Sequence, residues 1–327
     1  MKTLSVIALL GAAVFSFAAD NFVMPEIELA VRVIDQAGDP VQKAEVVAWF
    51  PHVYGAGGSP KGESKQVPTN AEGRVLLKAQ AAGPVSIGSR KLGYYESGGG
   101  QIDFMRMREG GKPLRTEQEI VLKKIMTPIP LVARQFPELV VPKENEPYGF
   151  DFVVGDWVAP RGRGKHADII FNIAGSYTTY KEFDAALEIT FPNKGDGLVR
   201  FEGEQNVGSE LISDYHAPEE GYIPALKLTK RATAGQTTSQ WLDESKPGSN
   251  YYFRVRTVLD SKGDVVSAHY GKIYGRFEFG RYKNAQSLYL KSGTYYFNPA
   301  INDRNVEFDR SKNLAADVTA PKRVSLP

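Results

Sequence analysis

The chain has 327 residues, of which 42 % are apolar and 24 % charged, and it carries a formal net charge of +2 and no cysteine. Without cysteine there are no disulfides, thiolate nucleophiles or cysteine-ligated zinc, so a fold must be held by burial alone. The length suffices for more than one hydrophobic core. The balanced charge gives no indication of nucleic acid or an anionic membrane as a partner.

The first eighteen residues have the order of an export signal. Lys2 precedes an apolar or small run from Leu4 to Phe17, and small residues at Ser16 and Ala18 stand before a predicted cut after Ala18. The run is shorter than the roughly 20 residues that a membrane-spanning helix needs. We expect a signal peptide at 1–18, with a buried helix as the alternative. The mature protein is then exported to the periplasm or the extracellular space, with no membrane insertion.

Residues 19–126 show the period-2 alternation of β-strands. In EIELAVRVID, apolar residues from Ile27 to Val33 fall on one face, and Gly38 and Gly73 mark turns. The order of these strands and turns resembles the carboxypeptidase regulatory-like domain, a β-sandwich of the transthyretin-like kind. The residues that carry the resemblance are Val33, Asp35, Gly38, Pro40, Val41, Ala44, Val46, Thr69, Gly73, Val75, Val85, Gly93, Tyr94 and Leu122.

This resemblance implies an accessory domain that acts as a spacer, stabiliser or binding module, because such domains are not the catalytic part of the peptidases that carry them. Fold alone transfers no function. The sequence departs from the family by an insertion at 51–66 and by the segment ESGGGQIDFMRMREGGK. Aromatic residues in and beside these segments are either faces for a sugar or parts of ordinary surface loops: His52, Tyr54, Tyr94, Tyr95 and Phe104.

Residues 127–147 form a proline-rich segment, TPIPLVARQFPELVVPKENEP, with five prolines. Proline cannot donate a ladder hydrogen bond and restrains the residue before it. The segment is too apolar for a free linker. It therefore predicts an extended connector that lies along one or both domains.

Residues 148–327 carry about eight further strand-like runs, around 150–154, 168–173, 185–191, 198–202, 225–230, 251–259, 265–274 and 288–297. That number favours a second sandwich of jelly-roll type. The predicted fold class is all-β, with two β-sandwich domains joined by the connector. This half loosely resembles exported bacterial proteins that carry a regulatory-like domain, a similarity that implies no activity.

The segment GDWVAPRGRGKHADIIFN, residues 155–172, is the first candidate ligand site. In a functional interpretation, Trp157 stacks on a ligand and the basic residues recognise an acidic group of that ligand. His166 and Asp168 would then form a hydrogen-bonded pair. The structural alternative makes Trp157 a core residue and the basic glycine run a solvated loop. The candidate ligand-binding residues here are Trp157, Arg161, Arg163, Lys165 and His166.

A second candidate lies in YYFRVRTVL, where alternation places Arg254 and Arg256 on one face with Tyr252. Tyr270 and Lys272 would extend this face on the next strand. Such an Arg and Tyr face either binds a glycan or a protein or is the half-solvated outer face of an antiparallel sheet.

No catalytic motif stands out. The Gly-x-Ser-x-Gly elbow is absent, and the four histidines lie too far apart for a zinc motif. In the tail 298–314, Asp303, Glu307 and Asp309 allow a calcium interpretation, but turn chemistry and local ion pairs are favoured. We therefore expect no catalytic residue, no metal and no cofactor.

The resulting hypothesis is an exported, non-enzymatic binding or structural module whose partner is a glycan or an envelope protein. Two alternatives remain open. One is a carbohydrate-active enzyme that uses paired carboxylates such as Asp156, Asp168, Glu188 or Glu202. The other is a scaffold subunit of an envelope assembly, and the oligomeric state stays undetermined.

Overall fold

A computed structural model describes residues 24–52, 61–104, 114–141, 143–204, 207–283, 287–315, 317–318 and 323–327. In these ranges the protein is all-β, as predicted, with one short 3₁₀ helix at Thr238–Gln240. The signal peptide predicted at 1–18, and Tyr54, lie outside the described residues. Within the described ranges, no helix has the length and apolarity to cross a bilayer.

The first sandwich is built from the strands β1 (Glu26–Asp35), β2 (Glu45–Pro51), β3 (Gly62–Pro68), β4 (Arg74–Gln80), β5 (Val85–Arg90), β6 (Ser97–Ile102) and β7 (Leu114–Leu122). One sheet has the order β4-β1-β7, in which β1 and β7 run parallel. The other contains β6-β5-β2-β3. Alternate residues of β1 and β2, such as Leu29 and Ala48, are fully buried between the two sheets.

The remaining strands are β8 (Val132–Gln135), β9 (Leu139–Val141), β10 (Tyr148–Asp151), β11 (Asp156–Trp157), β12 (Ile169–Thr179), β13 (Glu182–Thr190), β14 (Gly197–Glu202), β15 (Val207–Ser209), β16 (Ala225–Ala232), β17 (Leu242–Asp243), β18 (Ser249–Leu259), β19 (Val265–Tyr274), β20 (Glu278–Arg281), β21 (Leu288–Lys291) and β22 (Thr294–Phe297). Three sheets result, with orders β11-β10-β12-β13-β16-β17, β14-β18-β19-β22-β8 and β20-β21-β9. Their inner faces share one aromatic core that includes Phe150, Phe171 and Phe253.

The segment predicted as a connector contributes strands to this second half. β8 pairs with β22, and β9 pairs with β21. Pro130 and Pro137 stand just outside these two strands, so neither interrupts a ladder. The proline content predicted an extended segment along the second core, which the structure shows. It did not predict that this segment contains two short strands.

The two halves are joined by a strand and by buried hydrogen bonds. β15, from the second half, pairs with β6 and extends the sheet of the first sandwich to the order β15-β6-β5-β2-β3. The Glu307 carboxylate, 1 % exposed, accepts hydrogen bonds from the Tyr95 hydroxyl at 2.8 Å and from the backbone N–H groups of Met126 and Thr127. Glu307 therefore links the two halves through these hydrogen bonds.

The acidic residues of the tail follow the turn interpretation. Asp303 accepts the backbone N–H of Asn305, and Asp309 pairs with Lys312 at 3.1 Å. Among the described residues, no group of three or more histidine or acidic side chains is placed to hold a metal ion. Two of the aromatic candidates of the first half, Tyr95 and Phe104, are buried and offer no face to a sugar.

Candidate functional site

The loop of the first candidate segment is organised by the carboxylate of Asp151, at the end of β10. This carboxylate accepts four backbone N–H groups, from Val153 at 2.9 Å, Val154 at 3.1 Å, Lys165 at 2.8 Å and His166 at 3.1 Å. Burial alone would raise the pKa of Asp151, but the four donors outweigh it and hold the pKa below its usual value. The backbone of the loop is thus hydrogen-bonded to the end of β10.

Trp157 belongs to the core beneath this loop. Its side chain is 4 % exposed, and the indole N–H donates to the Val140 carbonyl at 3.1 Å. The ring lies 5.7 Å from that of Tyr148 and 6.1 Å from that of Phe171. The stacking role considered for Trp157 is therefore corrected, because both faces of the indole are covered by the core.

The basic side chains of the loop lie at the surface. Arg161 pairs with Glu146 at 3.3 Å, and Arg163, 80 % exposed, pairs with Asp156 at 3.4 Å. Lys165 and His166 are also exposed. Ligand binding by the four basic residues stays a prediction: Arg161, Arg163, Lys165 and His166. Hydrogen bonds within the loop hold its backbone.

Asp168 does not pair with His166, as the sequence suggested, but with Arg256. The guanidinium Nε donates to Asp168 Oδ1 at 2.7 Å and Nη2 to Oδ2 at 3.0 Å, while the Phe152 N–H donates to Oδ2 at 2.9 Å. Asp168 is 1 % exposed. Burial raises the pKa of Asp168, and the hydrogen bonds and charge of Arg256 oppose that rise.

The two arginines of β18 diverge instead of sharing one face. Arg254 lies over the Tyr222 ring at 4.6 Å, whereas Arg256 lies over the Phe297 ring at 5.1 Å, on the side of the aromatic core. A β-bulge between Val255 and Val258, with Arg256 at φ +55°, breaks the alternation. A bulge re-aims the side chain that it carries, and period-2 reasoning could not detect it.

The Arg and Tyr face predicted on β18 and β19 is covered by the protein itself. Tyr252 is 4 % exposed, Tyr270 6 % and Lys272 0 %. Ala217 and Val306, from chain segments before and after these strands, pack on this face. It is therefore an interior surface and not an open binding face.

The carboxylates considered for an enzyme are all engaged by neighbours. Besides Asp156 and Asp168, Glu188 pairs with Lys227 at 3.0 Å, and Glu202 pairs with Arg200 at 2.6 Å. Glu188 and Glu202 lie on β13 and β14, which belong to different sheets.

A trough that the sequence did not predict lies on the outer face of the sheet β15-β6-β5-β2-β3. Its cavity volume is about 430 Å³. Gly88, Gly98 and Gly208 face each other across β5, β6 and β15, since Gly88 pairs with Gly98 and Gly98 with Gly208. Directly paired residues share a face of the sheet. Three glycines in register therefore form a floor without side chains.

Charged residues form the next row along these strands, two residues from the glycine floor. Arg90 holds Glu45 through Nε at 3.0 Å and Nη2 at 2.5 Å, and Glu210 pairs with Arg310 at 2.5 Å. Glu96 stands between these two pairs, exposed, and its carboxylate has no bonding partner among the described residues. The row thus leaves one carboxylate available at the edge of the trough.

Apolar side chains form another part of the trough lining. Ile212 and Leu326, both from the second half, contribute to the lining. Val47 of β2 also lines the trough, whereas Trp49, two residues further on the same face, lies outside the lining with its ring against Gly62. The signal in the sequence for this site was the Gly98–Gly100 run, but only the strand register brings these glycines together with Gly88 and Gly208.

Comparisons with known proteins give no family for the chain. No protein-family model and no curated protein matches it. A 3-chlorocatechol 1,2-dioxygenase from Rhodococcus opacus 1CP is similar at a TM-score of 0.27 and 14 % identity, over 32 % of this chain and 62 % of the dioxygenase, so the chain spans less than two thirds of that protein.

Two further solved structures show similarities of the same order. A candidate carbohydrate-binding protein from Bacteroides uniformis ATCC 8492 has a TM-score of 0.22 and 11 % identity, over 85 % of this chain and 99 % of that one. The shaft pilin SpaA from Lactobacillus rhamnosus GG has a TM-score of 0.20 and 12 % identity, over 73 % and 89 %. Similarities this small carry no argument about the function of this chain.

Proposed function

We propose that the protein is a non-enzymatic binding module and that its ligand, a glycan, lies in the glycine-floored trough. The observation that carries the proposal is the floor itself, formed by Gly88, Gly98 and Gly208 in register within a cavity of about 430 Å³. Ligand pockets commonly measure about 300–1,000 Å³. Glycine is the residue that lets a ligand approach the backbone closely.

The surroundings of the floor match the chemistry of a sugar ring. A pyranose has an apolar face and an edge of hydroxyl groups. Val47, Ile212 and Leu326 supply aliphatic surfaces around the floor. The carboxylate of Glu96 is an acceptor for hydroxyl hydrogens, and hydrogen bonds to a charged group are the stronger kind.

The arrangement of carboxylates supports binding over glycoside hydrolysis. A glycosidase places two carboxyl groups on either side of the scissile bond. Here Glu45 is held by Arg90 and Glu210 by Arg310, along the same edge as Glu96. Glu96, which has no partner within the described ranges, is one carboxylate on one edge and suits recognition of hydroxyl groups.

A glycan array probed with labelled protein tests the proposal. We expect the native protein to retain a subset of glycans and the Glu96→Gln variant to bind them roughly 10- to 100-fold more weakly, since a hydrogen bond to a charged group contributes about 1.5–3 kcal/mol. Gly88→Val, which fills the floor, should abolish retention. Glu72→Gln, an exposed glutamate on a turn of the same sandwich, is the matched control and should bind like the native protein.

We further propose that the chain works outside the cytoplasm, on the basis of the signal-like residues 1–18. Expression of the full chain in a bacterial host, followed by fractionation and amino-terminal sequencing, should yield a mature protein that begins at Ala19. Leu9→Arg, which interrupts the apolar run, should leave the chain uncleaved in the cytoplasm. Cytoplasmic retention of the native chain with an intact amino terminus would refute export.

A further inference from the structure

A second groove continues the trough past its row of charged residues. It has a cavity volume of about 770 Å³, shares Arg90 and Glu96 with the trough, and is also lined by Lys43, Lys91, Leu92 and Tyr94. Along β5 and the turn after it, the order from the glycine floor is Gly88, Arg90 and then Leu92. Two residues of a strand measure about 7 Å. A ligand that lies on the floor and reaches the second groove is therefore longer than one sugar ring.

The walls of the second groove are two turns that hydrogen bonds hold together. In one turn, the Tyr94 N–H donates to the Lys91 carbonyl at 3.0 Å. The Lys91 ammonium group donates to the carbonyl of Gln42 at 2.8 Å, in the turn that precedes β2. The N–H of the next residue, Lys43, donates to the carbonyl of Thr69 at 3.0 Å. The backbone around the groove is therefore fixed by contacts within the first sandwich.

Two lysines of the second groove have no carboxylate partner. In the described part of the chain, no carboxylate oxygen lies within 4.0 Å of the ammonium group of Lys43 or Lys91. The charge of Arg90, in the row between the groove and the trough, is balanced by Glu45. The groove thus holds two positive charges that neighbouring side chains leave uncompensated. A negatively charged group on a ligand complements them.

We propose that the glycan of the trough is acidic, and that a sugar unit with a carboxylate or sulfate group lies in the second groove, with that group at Lys43 and Lys91. The inference rests on the proposed function, because the neighbouring sugar unit occupies the glycine floor. Leu92, 98 % exposed, and the half-buried Tyr94 offer apolar surface to the ring of the acidic unit. Like charges repel, so the acid group lies on the lysine side of the groove and the hydroxyl groups face Glu96.

A glycan array of matched pairs, probed with the full chain, tests this inference. Each pair holds an acidic oligosaccharide and the same oligosaccharide without its charge, made by carboxyl reduction or by desulfation. We expect the native protein to bind acidic members roughly 3- to 10-fold more tightly than their neutral partners, as two ion pairs at a surface allow. This preference should decline between about 0.05 and 0.5 M salt, because exposed charges are screened. The kind of pair that shows the preference distinguishes a carboxylate from a sulfate.

Lys43→Gln should reduce the preference to less than about twofold and leave the binding of neutral glycans unchanged, whereas Lys43→Arg, which keeps the charge, should preserve it. Lys61→Gln is the matched control, because Lys61 is exposed and its neighbour Gly62 pairs with Pro51, at the other end of β2. Equal binding of acidic and neutral partners, or equal losses with Lys43→Gln and Lys61→Gln, would overturn this inference while the trough stands as a glycan site. Retention of no glycan of either kind would contradict the proposed function and this inference together.

Discussion

Replacing Arg256 by methionine tests how much the buried ion pair between Arg256 on β18 and Asp168, directly before β12, contributes to stability. The variant Arg256→Met keeps an aliphatic chain over Phe297 but leaves Asp168, 1 % exposed, without a cation. Removing one member of a buried pair costs about 3–5 kcal/mol. Because 29 % of the arginine side chain reaches solvent, we expect a smaller loss of about 2–4 kcal/mol in the free energy of unfolding near pH 8.

The loss should depend on pH in a defined direction. Burial already raises the pKa of Asp168, and Arg256 is the main group that opposes the rise. Without Arg256 the pKa of the folded state rises further above the unfolded value of about 3.9. An acid with a raised folded pKa takes up its proton on folding, so the destabilisation is complete above that pKa and diminishes as pH falls through it. The loss in free energy of unfolding, variant against native protein, should therefore be smaller at pH 5 than at pH 8.

Urea unfolding at both pH values measures the effect. Arg254→Met is the matched control, because Arg254 donates to the backbone oxygens of Gly195 and Glu219 and, in the described part of the chain, to no carboxylate. Its deficit should not change with pH. Adding Asp168→Asn to Arg256→Met should restore part of the stability at pH 8. A deficit below about 1 kcal/mol, or one equal at pH 5 and pH 8, would refute this account of the pair.

Two further predictions concern the loop at residues 155–166. Trp157→Ala should lower the free energy of unfolding by about 3–5 kcal/mol, as large-to-small changes in aromatic cores do, whereas Lys165→Ala at the surface should change it by less than about 0.5 kcal/mol; similar values in urea unfolding would contradict a core role for the indole. Asp151→Asn should destabilise the protein at neutral pH, and because the folded pKa of Asp151 lies below its unfolded value, the difference from the native protein should diminish as pH falls below about 4 toward the folded pKa. A thermal-unfolding difference that is as large at pH 2 as at neutral pH would contradict the role assigned to this carboxylate.

Alternation and turn residues predicted much of the fold. The runs at 251–259 and 265–274 are β18 and β19, and the turn between them places Gly263 at φ +92°, a conformation that glycine adopts readily. Ile169, Phe171 and Ile173, alternate residues that begin in the run predicted at 168–173, face the core. These features are local, so the chain within a few residues determines them.

Features that depend on distant segments escaped prediction. Lys272 was expected on an open face, but segments near Ser213 and Pro327 cover it. The side of the sheet taken by Arg256 depends on one bulge. The trough requires the register of three strands, one of them the three-residue β15 from the other half of the chain, and periodicity contains no information about register between strands.

The glycan array with the native protein and the Glu96→Gln variant side by side tests the central proposal most directly. The account predicts that the native protein retains specific glycans, and that the variant, with an unchanged unfolding temperature, loses them. A native protein that retains no glycan, or a variant that retains the same glycans equally well, would contradict the trough as a glycan-binding site.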